Sequence, residues 1–470
     1  MQSAQDGNPV NDRLVAAAVQ VLRDNDLGEI TKPSPTLYPH QWLWDSCFIA
    51  IGLRHVDPDR ATREILSLFR GQWTNGMLPH VIFSQSDVYY HAGPERWRTD
   101  LVTATAGGAE TTGVTQPPMV AEAVVRVGEV LEPRARTDFY RAVFPGLVRY
   151  HSWMYRERDP WDNGLVTLVH PWESGMDNTP PWMRMTRQVT PWRVRALQAV
   201  NSDGVLDLLR RDSKEVPADE RLSGADLFTL YRIIRELRDA RYDMRRIMDT
   251  SVPLVQDVAF NAILIRANAH LVAIAEALDE RLPAGLKRCM GRTPDAFRTL
   301  LRSGDSTFLN RDARAGTLIP GETVGGFLAL YAGVLRADEA AHMAERIIQP
   351  RWWPRLGVAS APTDDAEFKP HCYWQGPAWV NMNWLIADGL DRYGLSELAG
   401  RIRRQTVEMV AAGGGMFEYY SPLDGQGVGS DHFSWTAALV IDLLAGSVTA
   451  PVPPQRPPAA RVDPAGQSRP

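Results

Sequence analysis

The stretch VQDVAFNAILIRANAHLVAIAEALDE, residues 255–280, decides the fold. Its apolar residues return every three or four positions, the period of an α-helix. The same period runs outward in both directions. Toward the N-terminus it marks 225–243, 190–211, 136–158, 117–131, 57–71, 44–56 and 11–25. Asn11 is placed as an N-cap, and Pro58 sits in a first turn after Asp57. Toward the C-terminus the period marks 293–304, 322–338, 338–348, 377–394, 395–415 and 432–446. Only short segments such as LVTLVH (165–170) look strand-like. About a dozen helices, joined by loops that carry Trp, Gly and Pro, predict an all-α fold. The pattern suits an α/α toroid of inner and outer helices with a site at one mouth. Periodicity alone does not close the ring, and a helical solenoid satisfies the same pattern, although no tetratricopeptide-like repeat is present.

Composition narrows the function. The chain has 470 residues, 44% hydrophobic and 23% charged, which suits a globular enzyme with a large core. A net charge of −5 gives no nucleic-acid footprint. Arg-rich runs at 244–248 and 403–405 fall inside helical patterns, where solvated or ion-paired faces account for them. Cys47, Cys289 and Cys372 are far apart, with no metal-type spacing and no disulfide framework, so a reducing cytoplasm is expected. The start is polar and is not a secretory signal. No apolar run is expected to reach the roughly 18 residues of a membrane span. A catalytic domain over 1–446 is followed by 447–470, a proline-rich tail with almost no core formers that is expected to be disordered. Oligomeric state is not legible. The chain carries 15 tryptophans, many beside His, Gln, Asp and Gly. Indoles stack on the apolar faces of sugars, but they also fill cores.

Four loops combine these indoles with acids or amides. Hydrolysis of a glycosidic bond takes two carboxylates, one to protonate the leaving oxygen and one to activate water or attack the sugar; a separation of about 5–5.5 Å gives retention and about 6.5–9.5 Å gives inversion. In LVHPWESGMDNTPPW (168–182), Gly175 and Pro180–Pro181 keep Asp177 out of a helix. Near indoles its carboxyl would be desolvated and its pKa raised toward that of a useful acid; capping a turn is the structural alternative. Glu173 competes for the same role. In GGGMFEYYSPLDGQGVGSDHFSWTAAL (413–439), Glu418 is the acid flanked by apolar and aromatic residues, whereas Asp424 and Asp431 have turn contexts. In YPHQWLWDSCF (38–48), Asp45 begins a helical run, either as an N-cap or as a sugar-binding acid. In HCYWQGPAWVNMNWLI (371–386), Gln375-Gly376-Pro377 opens a helix between Trp374 and Trp379, and Gln116 stands before another helix in GVTQPPM (113–119).

Together these strings resemble glycoside hydrolase family 63, most closely its short bacterial branch of mannosylglycerate and glucosylglycerate hydrolases. FRGQWTNGMLPHVIF (69–83) and QDVAFNAILIRAN (256–268) complete the set, which runs in family order over residues 11–446. The resemblance implies a single (α/α)6 barrel and an inverting α-glycosidase that needs no cofactor or metal. It implies Asp177 as general acid and Glu418 as general base, with Glu173 in a supporting role and Trp172 and Trp182 walling the acid. It suggests that Tyr38, Trp42, Trp44, Asp45, Gln116, Gly175, Tyr373, Trp374, Gln375 and Trp379 line the sugar subsite. Arg221, in ERLSGADLFTLYRI (220–233), resembles the arginine that meets a glycerate carboxylate, and Tyr89 and Tyr90 resemble a mobile lid. Where the branch supplies a further tyrosine after Arg221, this chain reads Asp226-Leu227-Phe228. A small carbohydrate is the expected partner, with no nucleic acid and no membrane. A trehalase-like or α-oligosaccharide hydrolase on the same barrel, and a non-catalytic carbohydrate-binding barrel, are the competing expectations.

Overall fold

The computed structural model describes residues 9–84, 86, 90, 92–105, 107–190, 224–304 and 306–445. Tyr89, Arg221, nearly all of the expected helix at 190–211 and the tail at 447–470 lie outside the described residues. Twelve of the described helices make the body: α1 Pro9–Asp24, α2 Leu43–Leu53, α3 Pro58–Leu68, α4 Val120–Val130, α5 Pro133–Arg158, α6 Val258–Ala277, α7 Ala284–Leu300, α8 Leu328–Ala332, α9 Ala337–Ile347, α10 Val380–Arg392, α11 Ser396–Gly413 and α12 Ser434–Ala445.

The even-numbered helices pack in order, α2 on α4, α4 on α6, α6 on α8, α8 on α10 and α10 on α12, and α12 returns to α2. The ring therefore closes, which a solenoid cannot do. Outside it, α1 lies against α12, α3 against α2 and α4, α5 against α4 and α6, α7 against α6, and α11 against α10. Glu339 of α9 takes Arg298 of α7 at 3.4 Å and Arg302 beyond it at 2.5 Å. The fold is an (α/α)6 barrel. Sequence character follows position. Every residue of α2 is buried, because neighbours surround it on all sides. The outer α1 buries only one stripe, Ala18, Val21 and Leu22. The stretch at 255–280 is inner helix α6, and its all-round apolarity corrects one expectation: over 20 residues it is long and apolar enough to cross a membrane, but its apolar window is 72% buried within the barrel.

Other boundaries also moved. Pro294, together with Gly285 and Gly291, hides the first half of α7, which starts at Ala284 rather than near 293. Residues 322–338 split into a 3₁₀ turn at Val324–Phe327, α8 and the start of α9. LVTLVH is not a strand. It is a buried extended loop whose Val166 backbone exchanges hydrogen bonds with the Asn261 side chain at 2.9 and 3.0 Å, and only Leu168 bridges Val255. The strands found are two-residue pairs, β1 Gln41–Trp42 with β2 Val81–Ile82, β3 Val255–Gln256 with β4 Arg311–Asp312 and β5 Thr317–Leu318, and β6 Tyr419–Tyr420 with β7 Gly427–Val428.

The inner helices also meet in a buried ion cluster, which takes the first two turns of α4 and later turns of α6, α8, α10 and α12. Glu122 of α4 accepts Arg126 at 2.7 Å and the Tyr331 phenol of α8 at 2.8 Å, and it lies 2.5 Å from His270 of α6. Arg126 reaches on to Asp388 of α10 at 2.5 Å. Asp442 of α12 accepts Arg54 at 2.9 Å and the Trp384 indole at 2.8 Å, with His55 2.8 Å away. The N-terminal ends carry the loops singled out from the sequence.

Candidate active site

The loop at 168–182 is built by its own punctuation. His170 caps a short 3₁₀ turn, Pro171–Ser174, by accepting the Trp172 N–H on its ring at 3.2 Å. Gly175 then adopts φ 69°, and a Cβ there would stand 2.5 Å from the Trp44 ring. Only glycine combines that left-handed turn with so close an approach. Asp177 follows in a turn ahead of the helix Pro180–Val189, half-buried. Its neighbour Asn178 docks the loop on the turn at 372–375: its Oδ1 accepts the Trp374 N–H at 2.7 Å, and its carbonyl accepts the Gln375 amide at 3.2 Å. Tyr373 in that turn sits at φ 45°, unusual for an aromatic residue, and donates its phenol to Asp177 Oδ2 at 3.3 Å. Glu173 is fully buried and paired with Arg158 at 2.8 Å.

Glu418 comes from the far end of the chain. It directly precedes β6, and its N–H donates to the Ser430 carbonyl at 2.9 Å just beyond the β6–β7 pairing. Tyr38, 380 residues away in sequence, donates its phenol to Glu418 Oε1 at 2.8 Å, and Ser430 N–H donates to Oε2 at 3.1 Å. Gly429, at φ 77°, leaves room: a Cβ there would come within 2.8 Å of Oε2.

Asp45 links the two acids. Burial pushes its carboxyl well above the usual range; its own backbone amide opposes this, and repulsion from Glu418 and Asp177 adds to the rise. The three carboxylates thus share one electrostatic neighbourhood. Asp45 is not an N-cap, because Trp42 holds that place and Asp45 lies in the first turn of α2. Pro377 likewise falls outside α10: Ala378 bridges Tyr420 and Ala359, and the helix starts at Val380 behind Trp379.

The remaining residues form two walls. On one side Trp374 and Trp379 stack face to face, 3.8 Å apart, with Trp44 and Trp435 beside them. Trp374 is 0% exposed, so these indoles make the backing layer. Gln116 accepts the Trp44 N–H at 3.3 Å, and Gln375 is buried beside Asn178. On the other side Trp42 stacks on His40 and meets Tyr38, His80 and Tyr90 edge-on. Trp172 packs against His80 and Tyr231. Burial pushes the Tyr90 phenol up, and Tyr231 and Asp177 push it further. Trp182 departs from expectation. It is fully buried, with its indole N–H on Asp257 at 3.1 Å, and has no surface to wall a pocket.

Three residues went unremarked in the sequence. His40 and His80 lie inside quoted strings, and burial lowers His40 to about 4 and His80 to about 3, so both are neutral near pH 7. Tyr231 lies on the helix Gly224–Asp239, one turn beyond the triplet Asp226-Leu227-Phe228. Phe228 is exposed, while Tyr231 packs on Trp172 beneath the Arg96 guanidinium, 4.4 Å from its ring centre.

Asp45 supplies a stability test. Its raised folded pKa means that its stabilising contribution is complete below the unfolded carboxylate pKa and is lost as pH rises toward the folded one. The expected result is that Asp45→Asn melts higher than wild type near pH 7, with the gap opening above about pH 4 at up to ~1.4 kcal/mol per pH unit. Thermal melts from pH 3 to 8 check it; a gap independent of pH would refute the buried-charge explanation.

A closed helical barrel with carboxylates and indoles gathered at its mouth is a glycoside-hydrolase architecture. Residues 38–436 match the mannosylglycerate hydrolase MGH1-like glycoside hydrolase domain, and the chain belongs to that family, within glycoside hydrolase family 63. It is 39% identical over 430 residues to the mannosylglycerate hydrolase of Thermus thermophilus, covering 90% of this chain and 99% of that one. It is 33% identical over 450 residues to the glucosylglycerate hydrolase of Mycolicibacterium hassiacum, covering 92% and 98%. The crystal structure of a family 63 mannosylglycerate hydrolase from Thermus thermophilus, in complex with Tris and D-glycerate, superposes with a TM-score of 0.82 at 37% identity, covering 92% of this chain and all of that one. The chain is a glycoside hydrolase.

Proposed function

We propose that the enzyme hydrolyses the α-glycoside of glyceric acid, mannosyl or glucosyl, with inversion. The observation that carries the mechanism is a contact between distant loops: Tyr373, which donates to Asp177, packs 5.8 Å from Tyr419, the residue that follows Glu418. Asp177 donates its proton to the glycosidic oxygen as the C1–O bond breaks, and glyceric acid leaves. Glu418 takes a proton from a water whose oxygen bonds C1 from the opposite face. The sugar departs as the β-anomer, with each carboxyl group having exchanged one proton. Tyr38 and Ser430 hold the two oxygens of Glu418, which fixes the direction from which water is activated. Asp45 serves as acceptor for sugar hydroxyls.

The glycerate reading draws on the relatives named for glyceric acid glycosides and on the D-glycerate bound in the Thermus structure. Tyr231 and His80 against Trp172, and Tyr90 against Trp42, offer polar groups for the aglycone. With three cysteines free of disulfides, we place the enzyme in the cytoplasm.

A hydrolysis screen followed by proton NMR tests both parts, using mannosylglycerate, glucosylglycerate, trehalose, kojibiose and nigerose. The expected result is first-formed β-sugar from a glyceric acid glycoside. First-formed α-sugar would overturn inversion, and cleavage of the neutral disaccharides alone would overturn the glycerate aglycone.

A further inference from the structure

We infer that the buried Glu173–Arg158 pair is a positioning device that sets the register of the acid loop against the loop carrying Gln116, and so the place of Asp177 at the leaving oxygen. The inference rests on the reading of Asp177 as the acid. Glu173 Oε1 accepts the Thr115 N–H at 3.2 Å and faces Arg158 Nη2 at 2.8 Å. Its Oε2 accepts the Val169 N–H at 2.7 Å and the Arg158 Nη1 hydrogen at 3.0 Å. One carboxylate thus holds two separate loops, with each oxygen used twice. Thr115 immediately precedes Gln116, which accepts the Trp44 N–H, and the same Trp44 ring is the surface on which Gly175 turns. The registration passes in both directions around Trp44.

Helix α5 anchors the device. Arg158 is its last residue, and its carbonyl accepts the Thr167 N–H at 2.7 Å. Tyr150, two turns earlier, meets the Thr115 hydroxyl at 2.7 Å and donates to the Gln116 carbonyl at 3.2 Å. An outer helix therefore grips both loops from behind. Stability alone is a poor reason for such a pair, because desolvation of two buried charges offsets most of their attraction. An apolar pair would fill the space but would accept neither loop amide. The carboxylate is suited to the task by its two oxygens, each with room for two donors.

The test compares two leaving groups. Departure of glycerate needs a proton from the acid, whereas fluoride departs from the α-glycosyl fluoride of the same sugar with little help. Glu173→Gln keeps the shape but has one acceptor oxygen, so a loop amide meets an NH2 group. The expected result is a kcat about 100-fold lower on the glyceric acid glycoside, KM within about threefold, and fluoride hydrolysis within about fivefold of wild type. Arg158→Lys, which keeps the charge but loses the two-pronged contact, should show the same split at about tenfold and decides the matter if Glu173→Gln does not fold. Equal losses on both substrates, or a rise in KM at unchanged kcat, would overturn the inference. Asp177→Asn is measured alongside. If Asp177→Asn itself shows no dependence on the leaving group, the acid assignment fails. If it shows that dependence and the Glu173 and Arg158 variants do not, only the positioning role fails.

Discussion

Asp177→Asn should lose about 10³-fold in kcat while KM stays within a few-fold. Asparagine has nearly the same size, and its Oδ1 can still accept the Tyr373 phenol that reaches Asp177 at 3.3 Å. The loop does not depend on the Asp177 carboxylate for its shape. Asn178 docks it on one side and Glu173 on the other, so the variant should fold and bind sugar. On the proposed reaction, what it lacks is a proton to give, and the aglycone must then leave as a poorly stabilised alkoxide. Initial rates of sugar release over a range of substrate concentrations check this. Near-normal kcat would remove Asp177 as the acid, and Glu173 would not inherit the role easily, because both its oxygens are engaged by Arg158 and loop amides.

The second large effect lies in the ion cluster between the inner helices. Glu122→Gln should destabilise the protein by about 3–5 kcal/mol, the scale for leaving buried charge without its partner. Burial pushes the Glu122 carboxyl up, but His270, Arg126 and Arg266 more than reverse this and hold it well below the usual range. Its stabilising contribution is therefore present above the ordinary carboxylate pKa and is lost as pH falls through the folded one. The gap between variant and wild type should be widest near neutral pH and shrink on acidification. Denaturant unfolding at pH 7 and pH 4 measures both. A cost below about 1 kcal/mol at pH 7 would mean the cluster behaves as a solvated surface pair.

Much of this molecule was readable without coordinates, for physical reasons that also mark where reading stopped. Helices show in sequence because burial follows the turn period, and α6 and α12 are apolar on every face because neighbours surround them. The first half of α7 stayed hidden because local rules treat Gly285, Gly291 and Pro294 as breaks, while packing against α6 keeps the helix continuous. Pro377 looked like a first-turn proline, but the bridge from Ala378 to Tyr420 claims that backbone first. Ring closure was beyond any local window, since it depends on contacts between α2 and α12. The site loops stood out because acids, indoles and glycines rarely gather without cause. Tyr231 did not, because it sits on a regular helix where nothing local marks the face that packs on Trp172. Trp182 erred in the other direction, since an indole beside a functional loop reads the same whether it faces ligand or core.

The closing contact between α2 and α12 has a consequence for how the chain comes into being. The first inner helix waits for the last. Until α12 slots between α2 and α10, both present the apolar flanks that it will cover, and the mouth lacks Glu418, which arrives just ahead of α12 while its partner Tyr38 has been waiting near the start. Such end-to-end pairing is slow to form and leaves sticky surface open meanwhile. Synthesis of this protein should therefore lean on chaperones late rather than early, and activity should appear in a single step once the ring shuts.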